Sequence, residues 1–228
     1  MLRTSRKTVK LFPIVLSCII FFLMLSGLSG AVEYDGLISE FQKDDWERAL
    51  LNDRGIQKFQ DEKLFNDLVR LINNRGLDWS VRIRGIKLLG EIKTAKAVAN
   101  LVDMFNDPFF NHECPSIKSY VAAALGNFSN DPAVVDALIS GLNDGELLVR
   151  EASIQSLGRI GNHRAVPHLI TVLNDKSFAV KASAINALQK IGDQRAVPYL
   201  KTLADTTDDR HLKEVAQLAL KRFSSGNR

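Results

Sequence analysis

The residues best equipped for chemistry in this 228-residue chain are His112, Glu113 and Cys114, an imidazole, a carboxylate and a thiol in a row. Such side chains bind zinc or iron when they converge with others from a second segment. No second cluster stands at ligand spacing, so no metal site and no cofactor is expected. His163 and His168 are five positions apart, off the i, i+4 spacing that puts two side chains on one helix face, and are read as solvated. Cys114 has only Cys18 to pair with, and Cys18 lies in a segment expected to leave, so no intramolecular disulfide is expected. These residues compose no catalytic constellation, and the chain is expected not to be an enzyme.

What must position the remaining side chains is a pattern written twice. VREASIQSLGRIGNHRAVPHLITVLND runs from Val149 to Asp175, and VKASAINALQKIGDQRAVPYL from Val180 to Leu200. Val149 and Val180, Leu157 and Leu188, Gly161 and Gly192, and Pro167 and Pro198 are each 31 positions apart. Repetition of turn residues together with apolar ones marks one unit stacked on itself. In the first half, Val149, Ala152, Ser153, Ser156, Leu157 and Ile160 recur at steps of three and four and predict a helix. Gly161 suits the left-handed residue that ends it. In the second half, Val166, Leu169, Ile170 and Leu173 form the apolar face of another helix. Pro167 falls in its first turn, where an amide has no intrahelical partner to lose. Neither helix pair can bury its stripe alone, whereas stacked neighbours share a continuous core. Small residues on the first helix, such as Ala152, Ser153, Ala182 and Ala184, permit close approach. The predicted fold is all-α, a right-handed α-α superhelix of about four helical hairpins with end caps.

The pattern V-[RK]-x-x-A, LG-x-I-G, AVP-x-L and a closing Asp resembles HEAT-like repeats of the phycobilin-lyase (PBS-lyase) type, over about two thirds of the chain. The resemblance speaks for a HEAT/armadillo-like solenoid more than for any activity. It implies a charge ladder between adjacent units, Asp144 with Arg150 and Asp175 with Lys181. The simpler alternative is separate helix caps and solvated charges, worth about 0–1 kcal/mol each. It also brings two enzymatic alternatives. PBS-lyase-like activity acts on cytosolic pigment proteins, a setting from which an exported chain departs. Metal-dependent chemistry like that of deoxyhypusine hydroxylase relies on several His-Glu pairs, and this chain has one, His112-Glu113.

Export is read from the first 31 residues. Arg3, Arg6, Lys7 and Lys10 precede the apolar run from Leu11 to Leu28, and Ser29-Gly30-Ala31 supplies small residues for cleavage, the layout of a secretory signal. The run approaches bilayer-spanning length, so the alternative is an uncleaved inner-membrane anchor with the body outside the cytoplasm. The body is expected to be periplasmic or secreted, touching a membrane only through this segment if it stays. Of 30 basic residues four lie in 1–31, leaving 26 against 26 acidic ones. That balance offers no footprint for nucleic acid, and no such partner is expected.

Residues 32–78 are expected to form an N-terminal helical cap. One helix would carry Leu37, Ile38, Phe41, Trp46, Ala49 and Leu50, a loop would span Asn52–Gln60, and a second helix would carry Leu64 to Ile72. Repeats would fill 79–223, as units 79–107, 115–144, 146–175 and 177–206 and a last half-unit 208–223. Between Val81 and Ile117 the spacing widens to 36, because of an insertion over Pro108–Ser116. Phe109 and Phe110 in it either form a docking tip or fold back over helix ends. The second helices are expected to line the concave side. Their non-core positions are Asn100, Asp103, Ala137, Ser140, His168, Thr171, Tyr199 and Thr202, a mildly polar stripe around one tyrosine, a residue favoured at interfaces. It is either a contact surface or a solvated groove. The function expected is a non-enzymatic protein-protein interaction scaffold in the cell envelope. It would be monomeric and bind a protein partner through the stripe, the loop, or both. A structural envelope spacer is the alternative.

Overall fold

The computed structural model describes residues 33–108, 115–129 and 131–225. The expected leader over 1–31 and the insertion residues Phe109, Phe110, His112, Glu113 and Cys114 lie outside them. Every regular element among the described residues is helical. No helix among them is long and apolar enough to cross a membrane.

The units follow from capping chemistry as much as from apolar spacing. First helices are α5 (Trp79–Glu91), α7 (Pro115–Leu125), α9 (Leu147–Ile160) and α11 (Phe178–Ile191), and second helices are α6 (Ala95–Asn106), α8 (Pro132–Ser140), α10 (Val166–Val172) and α12 (Val197–Thr206). Helices α9 and α11 stop at Gly161 and Gly192, both left-handed at φ 74°. Asn162 and Asp193 then accept from the amides of Arg164 and Arg195 at 2.9 Å, which starts a single 3-10 turn before each second helix. Thr94 and Asp131 cap α6 and α8 through their side-chain oxygens. A closing helix, α13 (Arg210–Ser225), packs on α11 and α12.

First helices pack on first helices in an unbroken row, α5 on α7, α7 on α9 and α9 on α11. Glycine makes this possible. A Cβ built on Gly90 would lie 2.8 Å from that of Ala124, and one on Gly158 would lie 2.8 Å from the Cα of Ala187. Leu89, Leu125, Leu157 and Leu188 are fully buried along the row. Burying a side chain of this size contributes about 1.5–3 kcal/mol.

At the N-terminal end the structure corrects the sequence reading. The single helix expected over Leu37–Leu50 is broken into α1 (33–42) and α2 (Trp46–Leu50), and the expected loop contains a helix, α3 (Asp53–Lys58). Asn52 explains it. Its side chain caps α3 by accepting from the Gly55 amide at 3.0 Å, and Phe59 just beyond is buried, so a polar run still closes on the core. Next comes α4 (Glu62–Asn73), capped by Asp61 and packed on α5.

The charge ladder exists, with different partners from those the resemblance implied. Asp144 pairs with Lys118 at 2.7 Å, not with Arg150 through side chains, and Asp175 lies 3.1 Å from Arg150 Nε, not against Lys181. Each aspartate has its Oδ1 taken by a turn amide two residues on, Glu146 at 2.9 Å and Ser177 at 2.7 Å. Only Oδ2 is left, and it faces the basic residue that opened the same unit. Arg150 still joins two units. Its Nη1 donates to the carbonyls of Asp144 (2.8 Å) and Gly145 (3.1 Å), while its Nε meets Asp175 as a charge, without hydrogen-bond alignment. Arg82 makes the matching link earlier, donating at 2.8 Å to the carbonyl of Ile72 in the last turn of α4.

Candidate interaction face

The second helices α10 and α12 stand apart where their first helices α9 and α11 touch. Between α10 and α12 lies a groove of about 780 Å³. Ile170 and Leu203 line it half-buried, and Tyr199 lines it 54% exposed. Three threonines line it, but each hydroxyl is occupied by its own helix. Thr171 donates to His168 O (2.7 Å), Thr202 to Pro198 O (3.0 Å) and Thr206 to Thr202 O (2.8 Å). A threonine bonded back in this way has no proton left to donate, although its oxygen can still accept. The groove is therefore a mainly apolar trough with one aromatic ring, edged by threonine oxygens that can only accept and by Asn174 and Arg195.

Of the residues singled out in the sequence, Thr171, Tyr199 and Thr202 come together here. His168 is exposed on α10 but does not line the groove. Asn100 and Asp103 sit on α6, far along the stack; Asn100 is half-buried and donates to Lys96 O at 2.8 Å. Ala137, read as a surface position, is buried, because α8 packs directly against α6 and leaves no gap. Phe109 and Phe110 lie outside the described residues. Ile170 and Leu203 were missed as contact residues because an apolar residue at core spacing gives no sign that its neighbouring helix stands away.

One end of the face carries an ion cluster between units. Arg195 binds the Asp193 carboxylate through Nε (3.0 Å) and Nη2 (2.6 Å), and its Nη2 also donates to His163 O (3.0 Å). The imidazole of His163 meets Asp193 Oδ2 at 2.7 Å through Nδ1. A carboxylate only accepts, so Nδ1 carries the proton. His163 is thus tied to the next unit rather than merely solvated, although its ring stays largely exposed. Hydrogen bonds from Arg195 first and His163 second hold the Asp193 carboxyl well below the usual carboxylate range. A depressed carboxyl contributes stability in full above its unfolded value, about 4, and loses it as the pH falls toward its folded value. Asp193→Asn is accordingly expected to be less stable than wild type at pH 7, with the gap in urea midpoint narrowing as the pH drops below about 4. A gap that stays constant with pH would show that the carboxylate charge is not what links the units.

No group of three or more His, Cys, Asp or Glu side chains able to hold a metal occurs among the described residues. The model for HEAT repeats matches residues 108–177 and 165–221, together half of the chain. This is a HEAT-repeat protein. Among solved structures, the CpcE–CpcF complex of phycocyanin lyase from Nostoc sp. PCC7120 is similar to it, at 23% identity and a TM-score of 0.58 over 70% of this chain and 65% of that one. The HEAT-repeat chain thus spans less than two thirds of that relative's length. A designed armadillo repeat protein in complex with the peptide (KR)4 is similar at 18% identity and a TM-score of 0.55, over 82% of this chain and 98% of the other. An engineered protein is similar at 20% identity and 0.53, over 85% and 97%. Likenesses at these identities bear on the fold alone. No curated protein matches the chain in sequence.

Proposed function

We propose that this HEAT-repeat protein is a non-enzymatic protein-protein interaction scaffold of the cell envelope, which takes a segment of a protein partner along the groove between α10 and α12. The observation that carries this reading is the groove itself, a trough of about 780 Å³ with the exposed Tyr199 ring in its wall. Aromatic residues set in a desolvated trough supply much of the affinity of protein interfaces. Two of the three neighbours named above are complexes, one of two lyase chains and one of a repeat protein with a peptide. Placement in the envelope rests on the pattern of residues 1–31, and the intact mass of the exported product tests it by reporting whether that segment is removed.

The interface test is capture of a partner from an envelope extract on immobilised protein. Tyr199→Ala is expected to reduce capture about tenfold, and Thr202→Arg, which fills the trough, to reduce it at least as much. Phe109→Ala distinguishes the insertion loop: a loss there with Tyr199→Ala silent moves the interface off the groove. Capture unchanged by all three removes the assignment.

A further inference from the structure

The balanced charge of the body conceals a division. Residues 33–144 carry 18 acidic and 13 basic side chains, and residues 145–228 carry 8 acidic and 13 basic, a net −5 followed by +5. In a solenoid each repeat contacts only its neighbours, so order in sequence is order in space and the division becomes a dipole along the stack. The two end layers keep the signs. Residues 33–58, which form α1, α2 and α3, hold seven acidic and four basic side chains; α13 holds four basic and one acidic.

Charged side chains of the prevailing sign are exposed at both ends. On α13 the single acid, Glu214, is paired with Arg210 at 3.0 Å, and Asp209 just before the helix caps it through the Leu212 amide at 2.9 Å. Lys213, Lys221 and Arg222 remain exposed around Leu218, which is 53% exposed while Leu212, Ala216, Ala219 and Phe223 face inward. At the other end Asp35, Asp44, Asp45 and Asp53 are exposed beside Arg48, Arg54 and Lys58, while Glu33, Glu40 and Glu47 are paired with Lys63, Lys43 and Lys87.

We propose that a second copy of this chain is the partner of these ends, the acidic N-terminal layer of one molecule docking on the basic α13 face of the next. This replaces the expectation of a monomer. The contact is head to tail, so it does not close on itself and adds molecules in line. Its attraction is screened over about 10 Å at 0.1 M salt and about 30 Å at 0.01 M, so association is strong only at low ionic strength.

Sedimentation velocity across a concentration series tests it, with two charge-reversed variants at exposed positions: Lys213→Glu with Lys221→Glu and Arg222→Glu, and Asp35→Lys with Asp44→Lys and Asp45→Lys. In about 0.02 M salt the wild-type mean mass is expected to rise with concentration beyond a dimer, and to return to the monomer in about 0.3 M. Each variant alone should associate at least tenfold more weakly, and an equimolar mixture of the two should regain association, because each then presents the end the other needs. Unchanged thermal unfolding of both variants shows that the fold survives. A mass independent of salt, association insensitive to charge reversal, a mixture that stays monomeric, or a dimer that grows no further would each overturn the in-line contact.

Discussion

Arg150→Ala is expected to lower the stability of the protein by about 3 kcal/mol or more, read as a fall in the urea midpoint. The side chain is 7% exposed and serves two units at once. Removing it leaves the carbonyls of Asp144 and Gly145 without their donor and leaves Asp175, itself only 16% exposed, facing no cation. Cutting one member from a buried pair costs more than the pair contributes, because the survivor keeps its desolvation penalty. Arg150→Lys is expected to recover only part of the loss, since one ammonium cannot reach two carbonyls and a carboxylate through separate nitrogens. The control is Arg164→Ala. Its pair with Asp136 is just as short, at 2.7 Å, but both side chains are more than half exposed, so its loss should cost under about 1 kcal/mol. If Arg150→Ala cost no more than Arg164→Ala, the ladder would be ornament and the seam would hold the units alone.

How much of this was legible before the structure depends on which physical signal carried each feature. The repeat, the left-handed Gly161 and Gly192 and the first-turn prolines were legible, since each rests on a backbone requirement that few residue types meet. Close approach through small residues was expected too, but at Ala152, Ser153, Ala182 and Ala184, whereas first helices meet at Gly90 with Ala124 and Gly158 with Ala187. The register of the ladder was not. Which basic residue an aspartate faces depends on the turn amide that claims its other oxygen, and no spacing encodes that. The helix Asp53–Lys58 was hidden because its cap, Asn52, reads equally well as a loop residue. The groove was hidden for a related reason. Ala137 and His168 share one register, 31 positions apart, yet the first is buried in a closed contact and the second is exposed, a difference set by how far the next helix stands away.

That difference in spacing makes Gly158→Val the sharpest test of the architecture, with an expected loss of about 3 kcal/mol. A glycine within a helix costs about 1 kcal/mol relative to alanine, so its presence in the last turn of α9 needs a compensating gain. The gain is close approach: any Cβ at this position would lie 2.8 Å from the Cα and 2.9 Å from the Cβ of Ala187, neither of which belongs to a flexible side chain that could swing aside. Valine adds two further carbons in the same place, so α9 and α11 must separate. Gly145 offers the contrast. Nothing lies within 4 Å of a Cβ there and its φ is not positive, so Gly145→Ala should be neutral or slightly stabilising. Equal effects at the two sites would mean that the first helices are not in contact at Gly158. The consequence also extends to the interaction face. Helices α10 and α12 follow α9 and α11 through single 3-10 turns, so parting the first pair shifts the walls of the groove. Gly158→Val should therefore weaken partner capture even at temperatures where it remains folded, whereas Gly145→Ala should leave capture intact.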